Sequence, residues 1–448
     1  MRIPELALAV LIAGLSACRH APAPFSGGAG GAVSLPMASA GAGATSATKP
    51  LAQPSAPVDL AGAERAVPQG LTPGDVALHN LDDHIRLLEL EIEAQGKAPV
   101  ARRAELVDYL LSRSQFLSTF SDFQRAEELA EPAPAEFPRD PKALLLRARY
   151  RGAVHRFAEA ESDLSSAEAL GAAPRDTELQ RASLHIAQGR ELEAALAVAE
   201  RRAKSLPALE RLSVVALAEA ALGRFEEADE HYRAALAAYR DVSPFPVAFV
   251  SFQRGVMWAE LAAQPGRALP FYREAVRVLP QYVVGNVHLA ELELQRGERP
   301  AAERRLRPLA HQSEDPEPWS ALGQLLLQGK PDDAEGRTLI ARAGRRYEQL
   351  LAQQRSAFLD HAAEFWLGPG ADPARALELA RANLALRPTG RAHQLVLEAA
   401  LGVDDSQLFC REVTAAGAAA RTNRNLSALI EAQRGRCAAR AVRAASHP

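Results

Sequence analysis

Residues 222–236 read LGRFEEADEHYRAAL: a glycine, an aromatic residue two positions on, and an alanine three after that, with a second alanine seven further along. Stepping back from Ala228 in units of 34 lands on Ala194, Ala160 and Ala126. Three positions before each alanine stand Phe123, Phe157, Glu191 and Phe225, aromatic in all but one copy. Twelve before come Ser114, Ala148, Ala182 and Ala216, all small, and four after come Ala130, Leu164, Val198 and Tyr232, all apolar. Forward of 228 the series continues through Ala268, Ala302, Ala334 and Ala376, with steps of 40, 34, 32 and 42 residues. The 15-residue stretch is therefore one of about eight copies, and a helical pair that cannot bury its apolar face alone must stack on its neighbours.

The whole composition agrees with helices. Of 448 residues, 48% are hydrophobic and only 5% aromatic, and roughly a fifth are alanine, the strongest helix former. A formal charge of −3 supplies no global reason to expect nucleic acid or an anionic lipid surface as partner. Lysines number five, so the basic residues are overwhelmingly arginine.

The register resembles the tetratricopeptide repeat, a 34-residue helix–turn–helix unit. Trp319, Leu322 and Gly323 carry the opening of that pattern in one copy. Gly223, Phe225, Ala228, Tyr232 and Ala235 carry its middle in another, and Tyr272, Ala275, Pro280 and Pro388 its close. The resemblance covers about residues 98–405 and implies an all-α solenoid. Small residues at the eighth and twentieth positions let the two helices of a unit approach. Glycines 189, 223, 297 and 329 are expected to end first helices in left-handed caps, and Pro280 and Pro388 to stop second helices.

In this family the concave surface is lined from the first helix of each unit. Carried over, one lining position gives Leu111, Leu145, Leu179, Ser213, Gln253, Val287 and Ser320. The next turn gives Gln115, Arg149, Ser183, Leu217, Met257, Glu291 and Gln324. The Lys/Asn set that clamps a C-terminal carboxylate in chaperone-binding members is missing from these places. A groove with apolar spots and neutral rims suits an extended segment or helix of a protein partner. Phe245, Phe249 and Phe252 share one helical face, for which core packing is the reading.

The ends read differently. Residues 1–17 carry Arg2, an apolar run Leu6–Leu15 too short to span a bilayer, and then Leu15-Ser16-Ala17-Cys18. This resembles a bacterial lipoprotein signal, with Cys18 the lipidated residue; the other reading is a secretory signal with a chance cysteine. Arg19 rather than aspartate after the cysteine implies, by the same resemblance, an outer-membrane anchor facing the periplasm of a Gram-negative cell. Residues 18–70 are Ala, Gly, Ser and Pro with hardly a charge, and cannot bury enough surface to fold. As a flexible tether of about 50 residues they would reach roughly 40 Å. Residues 71–97 read as an entry helix, and 406–448 as a helical cap with a basic tail of seven arginines against two glutamates from 411 onward. That basic face is either solvated or a dock for an acidic partner.

Cys410 and Cys437 lie equidistant from the turn around 423–424, so an antiparallel helical hairpin would place them opposite one another. A disulfide is the expectation in an oxidising compartment, worth roughly 3–4 kcal/mol in the chain-entropy picture; two free buried thiols are the alternative.

No H-E-x-x-H, G-x-S-x-G or Walker A run occurs, and none of the eleven histidines pairs with another at i, i+4. Glycines 27, 28, 30 and 31 follow no strand and open no helix, which removes a phosphate-loop reading. His231 reads as packing or solvent-facing. Glu314-Asp315, Asp332-Asp333 and Asp404-Asp405 precede helices and are expected to cap them rather than bind metal. The sequence thus points away from an enzyme, a cofactor, a metal or nucleic acid. Its expectation is a lipid-anchored scaffold whose concave face holds envelope proteins, with the membrane met only through the N-terminal anchor. The alternative is an accessory or substrate-binding subunit of an envelope enzyme or polymer-export system.

Overall fold

The computed structural model describes residues 68, 70–96, 98–205 and 208–437. The proposed signal, Cys18, nearly all of the tether and the arginines at 440 and 443 lie outside the described residues. Among those described there are helices and connecting turns but no strand.

Helix α1 (Gly74–Gln95) enters a chain of helix pairs. They are α2 (Val100–Leu117) with α3 (Ser121–Ala130); after the short α4 (Ala133–Glu136), α5 (Pro141–Ala153) with α6 (Phe157–Ala169); then α7 (Pro174–Gln188) with α8 (Leu192–Ser205). Next come α9 (Leu209–Ala221) with α10 (Phe225–Ala238), α11 (Pro244–Val256) with α12 (Pro265–Val278), and α13 (Val283–Gln295) with α14 (Arg299–Gln312). Helix α15 (Pro316–Gly329) pairs with the first part of α16 (Ala334–Leu367). The rest of α16, beyond a kink at Gln354 (φ −138°, ψ 63°), pairs with α17 (Pro373–Leu386). The last pair is α18 (Gly390–Gly402) with α19 (Ser406–Ala415), and α20 (Arg424–Ala432) follows.

Local chemistry sets the boundaries. Proline occupies the first turn of α5, α7, α11, α12, α15 and α17, where its missing N–H costs nothing. The acidic doublets act as caps: Asp315 accepts from the Glu317 amide at 2.8 Å, Asp333 from Gly336 at 2.8 Å and Asp405 from Leu408 at 2.8 Å. Pro280 and Pro388 each fall just past the end of a second helix. Gly189, Gly223 and Gly297 take left-handed conformations at the turns (φ 67°, 77° and 78°). Gly329 does not: it is the last residue of α15, and a Cβ there would collide with the Arg299 guanidinium.

Within each pair the small-residue seam is buried. Ala126, Ala160, Ala228, Ala268, Ala302 and Ala376 have no exposed surface, nor do Ala148 and Ala216 opposite. Two copies sit in a different register from the one the 34-residue count gives. In α8, Ala194 faces solvent while Ala195 is buried, and Leu192 takes the place where Glu191 breaks the aromatic series. The extra residue is absorbed at Glu191, which takes a left-handed φ of 48°. In α16, Ala334 is exposed and the close approach is made by Gly336, whose carbonyl lies 2.9 Å from where a Gly323 Cβ would stand. The step from Ala302 to Gly336 restores the 34-residue spacing.

The pairs wind into a superhelix tight enough to meet itself. His155 Nδ1 lies 3.2 Å from the Ser356 carbonyl oxygen, and the Ser356 hydroxyl donates to the Val154 carbonyl at 2.7 Å. Gly189 abuts Thr389 and Gly223 abuts Thr422. Each of these couples spans about 200 residues, or about six 34-residue units per turn. Phe116 packs its ring against Phe245 and Tyr282, and Phe120 packs against Phe358, filling the interior further toward the N-terminus.

Candidate functional site: the filled interior and the cavity between turns

Closure of the superhelix decides what the first-helix faces can do. Of the fourteen side chains expected to line an open groove, Leu111, Gln115, Ser183, Ser213, Leu217, Gln253, Met257, Val287 and Ser320 are buried. Leu145, Arg149, Leu179, Glu291 and Gln324 are half-buried, and none is exposed. Here the structure departs from the expectation of an open concave surface. The interior is occupied by later units of the same chain, and Arg149 is spent on Asp108 of the preceding first helix, 2.6 Å away. Phe245, Phe249 and Phe252 are buried core residues.

Toward the C-terminal half the interior carries ionisable groups rather than a dry apolar seam. His361 Nδ1 lies 2.6 Å from Glu317 Oε1, Arg387 pairs with Asp360, and Arg391 pairs with Glu364 and stands 3.8 Å from Glu398. Burial opposes the charge on His361, yet the Asp360 and Glu317 carboxylates hold its pKa well above the usual histidine value. Burial raises Asp360, but Arg387 overrides it and brings the carboxyl down to about 2. Glu364 goes the other way, pushed up to about 8 by burial against the pull of Arg391. Burial and then the neighbouring Glu260 carboxylate keep Glu291 well above the carboxylate range. Asp315 rises to about 7 through burial and the proximity of Glu317. His231, singled out by its place on α10, stands with Nδ1 2.8 Å from Glu219 Oε2. These pairings hold helices together, and among the described residues no group of His, Cys, Asp or Glu is arranged to hold a metal ion.

Between the two turns the interior is not filled. A cavity of about 370 Å³ lies where α7, α9 and α11 face the segment 387–393 and the stretch 415–423. Its wall is mainly aliphatic, from Ile186, Leu192, Leu217, Val256, Met257 and Leu261. Three side chains expected on the groove, Leu217, Gln253 and Met257, reach it. The rest of that set does not converge on it. Below it the chain makes a π-helical turn at Met257–Leu261, and Asn425 from the upper turn donates to the carbonyls of Ala259 (3.1 Å) and Glu260 (2.6 Å). Such a turn is local strain that recurs at functional sites. No pattern in the sequence marks residues 387–393 as part of this wall, because their nearness to α7 and α11 arises only from winding.

Cys410 and Cys437 are joined in a disulfide with Cα atoms 5.6 Å apart, tying α19 to the segment that follows α20. Of the basic tail, Arg434 lies 3.4 Å from Glu431 and Arg436 3.1 Å from Asp404. No described helix is long and apolar enough to cross a membrane.

No protein-family model matches the chain, and no curated protein matches it. Among solved structures it is similar to a tetratricopeptide repeat protein from Parabacteroides merdae, at 17% identity over 58% of this chain and 98% of that one, TM-score 0.34. It is also similar to yeast Tom70, at 15% identity over 83% and 94%, TM-score 0.33. A third is the Cut9–Hcn1 hetero-tetramer of the APC/C, at 12% identity over 79% and 73%, TM-score 0.38. The stacked helix pairs described above are what define the fold: an all-α, TPR-like solenoid.

Proposed function

We propose that this chain is a non-catalytic scaffold of the cell envelope, anchored through lipid on Cys18 at the periplasmic face of the outer membrane and holding one or more envelope proteins. The observation that carries it is the stack itself: nine helix pairs among the described residues, each resting on its neighbours, which spread an extended surface over a long chain. With the inner face occupied by the chain's own second turn, the partner docks on the rim between turns and on the outer faces of the second helices. The disulfide between Cys410 and Cys437 supports an oxidising compartment, and the Leu15–Cys18 run supports the anchor.

Crosslinking in intact cells, detergent extraction and isolation through a C-terminal tag test the scaffold. Recurrent crosslinks from one envelope complex to the outer helices support it. No protein above background from correctly anchored material refutes it. Labelling with a radioactive fatty acid tests the anchor, since Cys18→Ala removes the label if the assignment holds and retains it if not. One observation favours the second reading, an accessory subunit that binds a ligand or substrate for an envelope enzyme or polymer-export system: the partly open cavity between turns.

A further inference from the structure

We propose that the cavity between the two superhelical turns is a binding site for a small neutral aliphatic amphiphile, a medium-length alkyl or acyl chain ending in an uncharged oxygen acceptor. The site stands independently of the protein partner proposed above.

Size comes first. An apolar cavity of about 150 Å³ already takes up benzene, and this one, partly open, offers about 370 Å³. It is formed by two successive contacts between turns, Gly189 with Thr389 and Gly223 with Thr422. Both glycines adopt left-handed backbone and carry no Cβ, so Thr389 and Thr422 come directly against them and leave a gap between the touching points. The gap is thus a product of how units stack.

The wall selects the body of the ligand. Isoleucine, leucine and valine side chains face the space, while the Tyr232 ring at its edge is fully buried and offers no open face for stacking. An aliphatic ligand therefore fits better than a flat ring.

Polar groups select the head. Gln253 is 4% exposed and lines the cavity, and its side-chain Nε2 is buried with no hydrogen-bond partner. A buried amide donor without a partner is costly, and turning the amide toward the cavity would let an oxygen acceptor on a ligand satisfy it. The basic side chains at the same wall are committed elsewhere, Arg387 to Asp360, Arg391 to Glu364 and His393 to Glu412. Glu260 lines the space as well and would repel an anionic head. A neutral head, an alcohol, ester or amide, follows.

Because the ligand touches both turns, binding favours the closed superhelix and raises thermal stability by mass action. The test uses the full chain with 1-octanol and with octanoate, followed by calorimetry and thermal unfolding. One octanol per chain, a raised melting temperature and clearly weaker octanoate binding are expected. Gln253→Leu should lower octanol affinity by about fivefold, the worth of one hydrogen bond, while raising the melting temperature of the ligand-free protein. Leu217→Trp should fill the space and abolish binding; Ala221→Leu does the same with a smaller side chain if the tryptophan variant fails to fold. Absence of octanol binding by the wild type overturns the proposal. So does octanoate binding more tightly than octanol, or undiminished binding in the space-filling variants.

Discussion

Gly255 sits near the end of α11, where helix propensity alone says that alanine would be the better residue by about 1 kcal/mol. The structure says the opposite. A Cβ built there would stand 2.4 Å from Cε1 and 2.5 Å from Cδ1 of Tyr272, well inside van der Waals contact. Tyr272 cannot swing away: it is 1% exposed, its ring packs on Phe252 and His288, and its hydroxyl lies 3.4 Å from His288 Nδ1. Overpacking a tight core costs about 1–3 kcal/mol, and a contact this short belongs at the upper end. Subtracting the propensity gain leaves Gly255→Ala destabilised by about 1–2 kcal/mol. Urea unfolding followed by circular dichroism measures it as a lower midpoint at unchanged slope. Gly266, in the first turn of α12 with nothing near its would-be Cβ, is the control; alanine there should be neutral or stabilising by a few tenths of a kcal/mol up to about 1. Removing the ring completes the cycle: in a Tyr272→Ala background, Gly255→Ala should lose its cost. A Gly255→Ala protein as stable as wild type, or a cost that persists without the ring, would refute the steric reasoning.

Other perturbations probe other layers of the structure. Ala195→Leu, on the buried side of α8, should cost about 1–3 kcal/mol by overpacking. Ala194→Leu, one residue away and exposed, should shift the urea midpoint little; the reverse order would restore the uninterrupted 34-residue register. Asp229 accepts two bonds from the buried Arg254 guanidinium, each 3.0 Å, and one from Trp258 Nε1 at 3.2 Å. Asp229→Ala leaves that cation unpaired, and a loss of about 3–5 kcal/mol is expected in the same unfolding assay. Asp315 has a carboxyl pKa of about 7 in the fold, above its value in the unfolded chain. Its contribution is full below about pH 4 and is lost as the pH rises toward 7. Buried His155, lowered to about 3, acts in the opposite sense as the pH falls below about 6.5, and cancels when variants are compared at each pH. Asp315→Asn keeps a cap acceptor, so its stability relative to wild type should rise between pH 4 and pH 7 by about 2–4 kcal/mol; a flat difference would remove Asp315 as the source. Reducing the Cys410–Cys437 bond should loosen α19 and α20 first, seen as faster amide exchange there than in α9 or α11.

What the sequence determines by itself is everything that depends on neighbours along the chain. A period of 34, small residues where two helices meet, prolines in first turns and aspartates before them specify helix pairs that must stack. That much is local, and a linear string carries it. Even so, single-residue slips are invisible to counting: the left-handed turn at Glu191 and the replacement of Ala334 by Gly336 follow from which side chain reaches the seam, a question only packing answers. The larger decision belongs to the tertiary structure. Each unit is rotated slightly on the last, and no residue announces that small angle, yet summed over about six units it brings residue 155 to 356 and 189 to 389. That accumulated rotation turned an expected open groove into a filled interior and left a gap where Gln253 meets the upper turn. Surface becomes core, and a cavity appears, because winding is a property of the whole stack rather than of any copy within it.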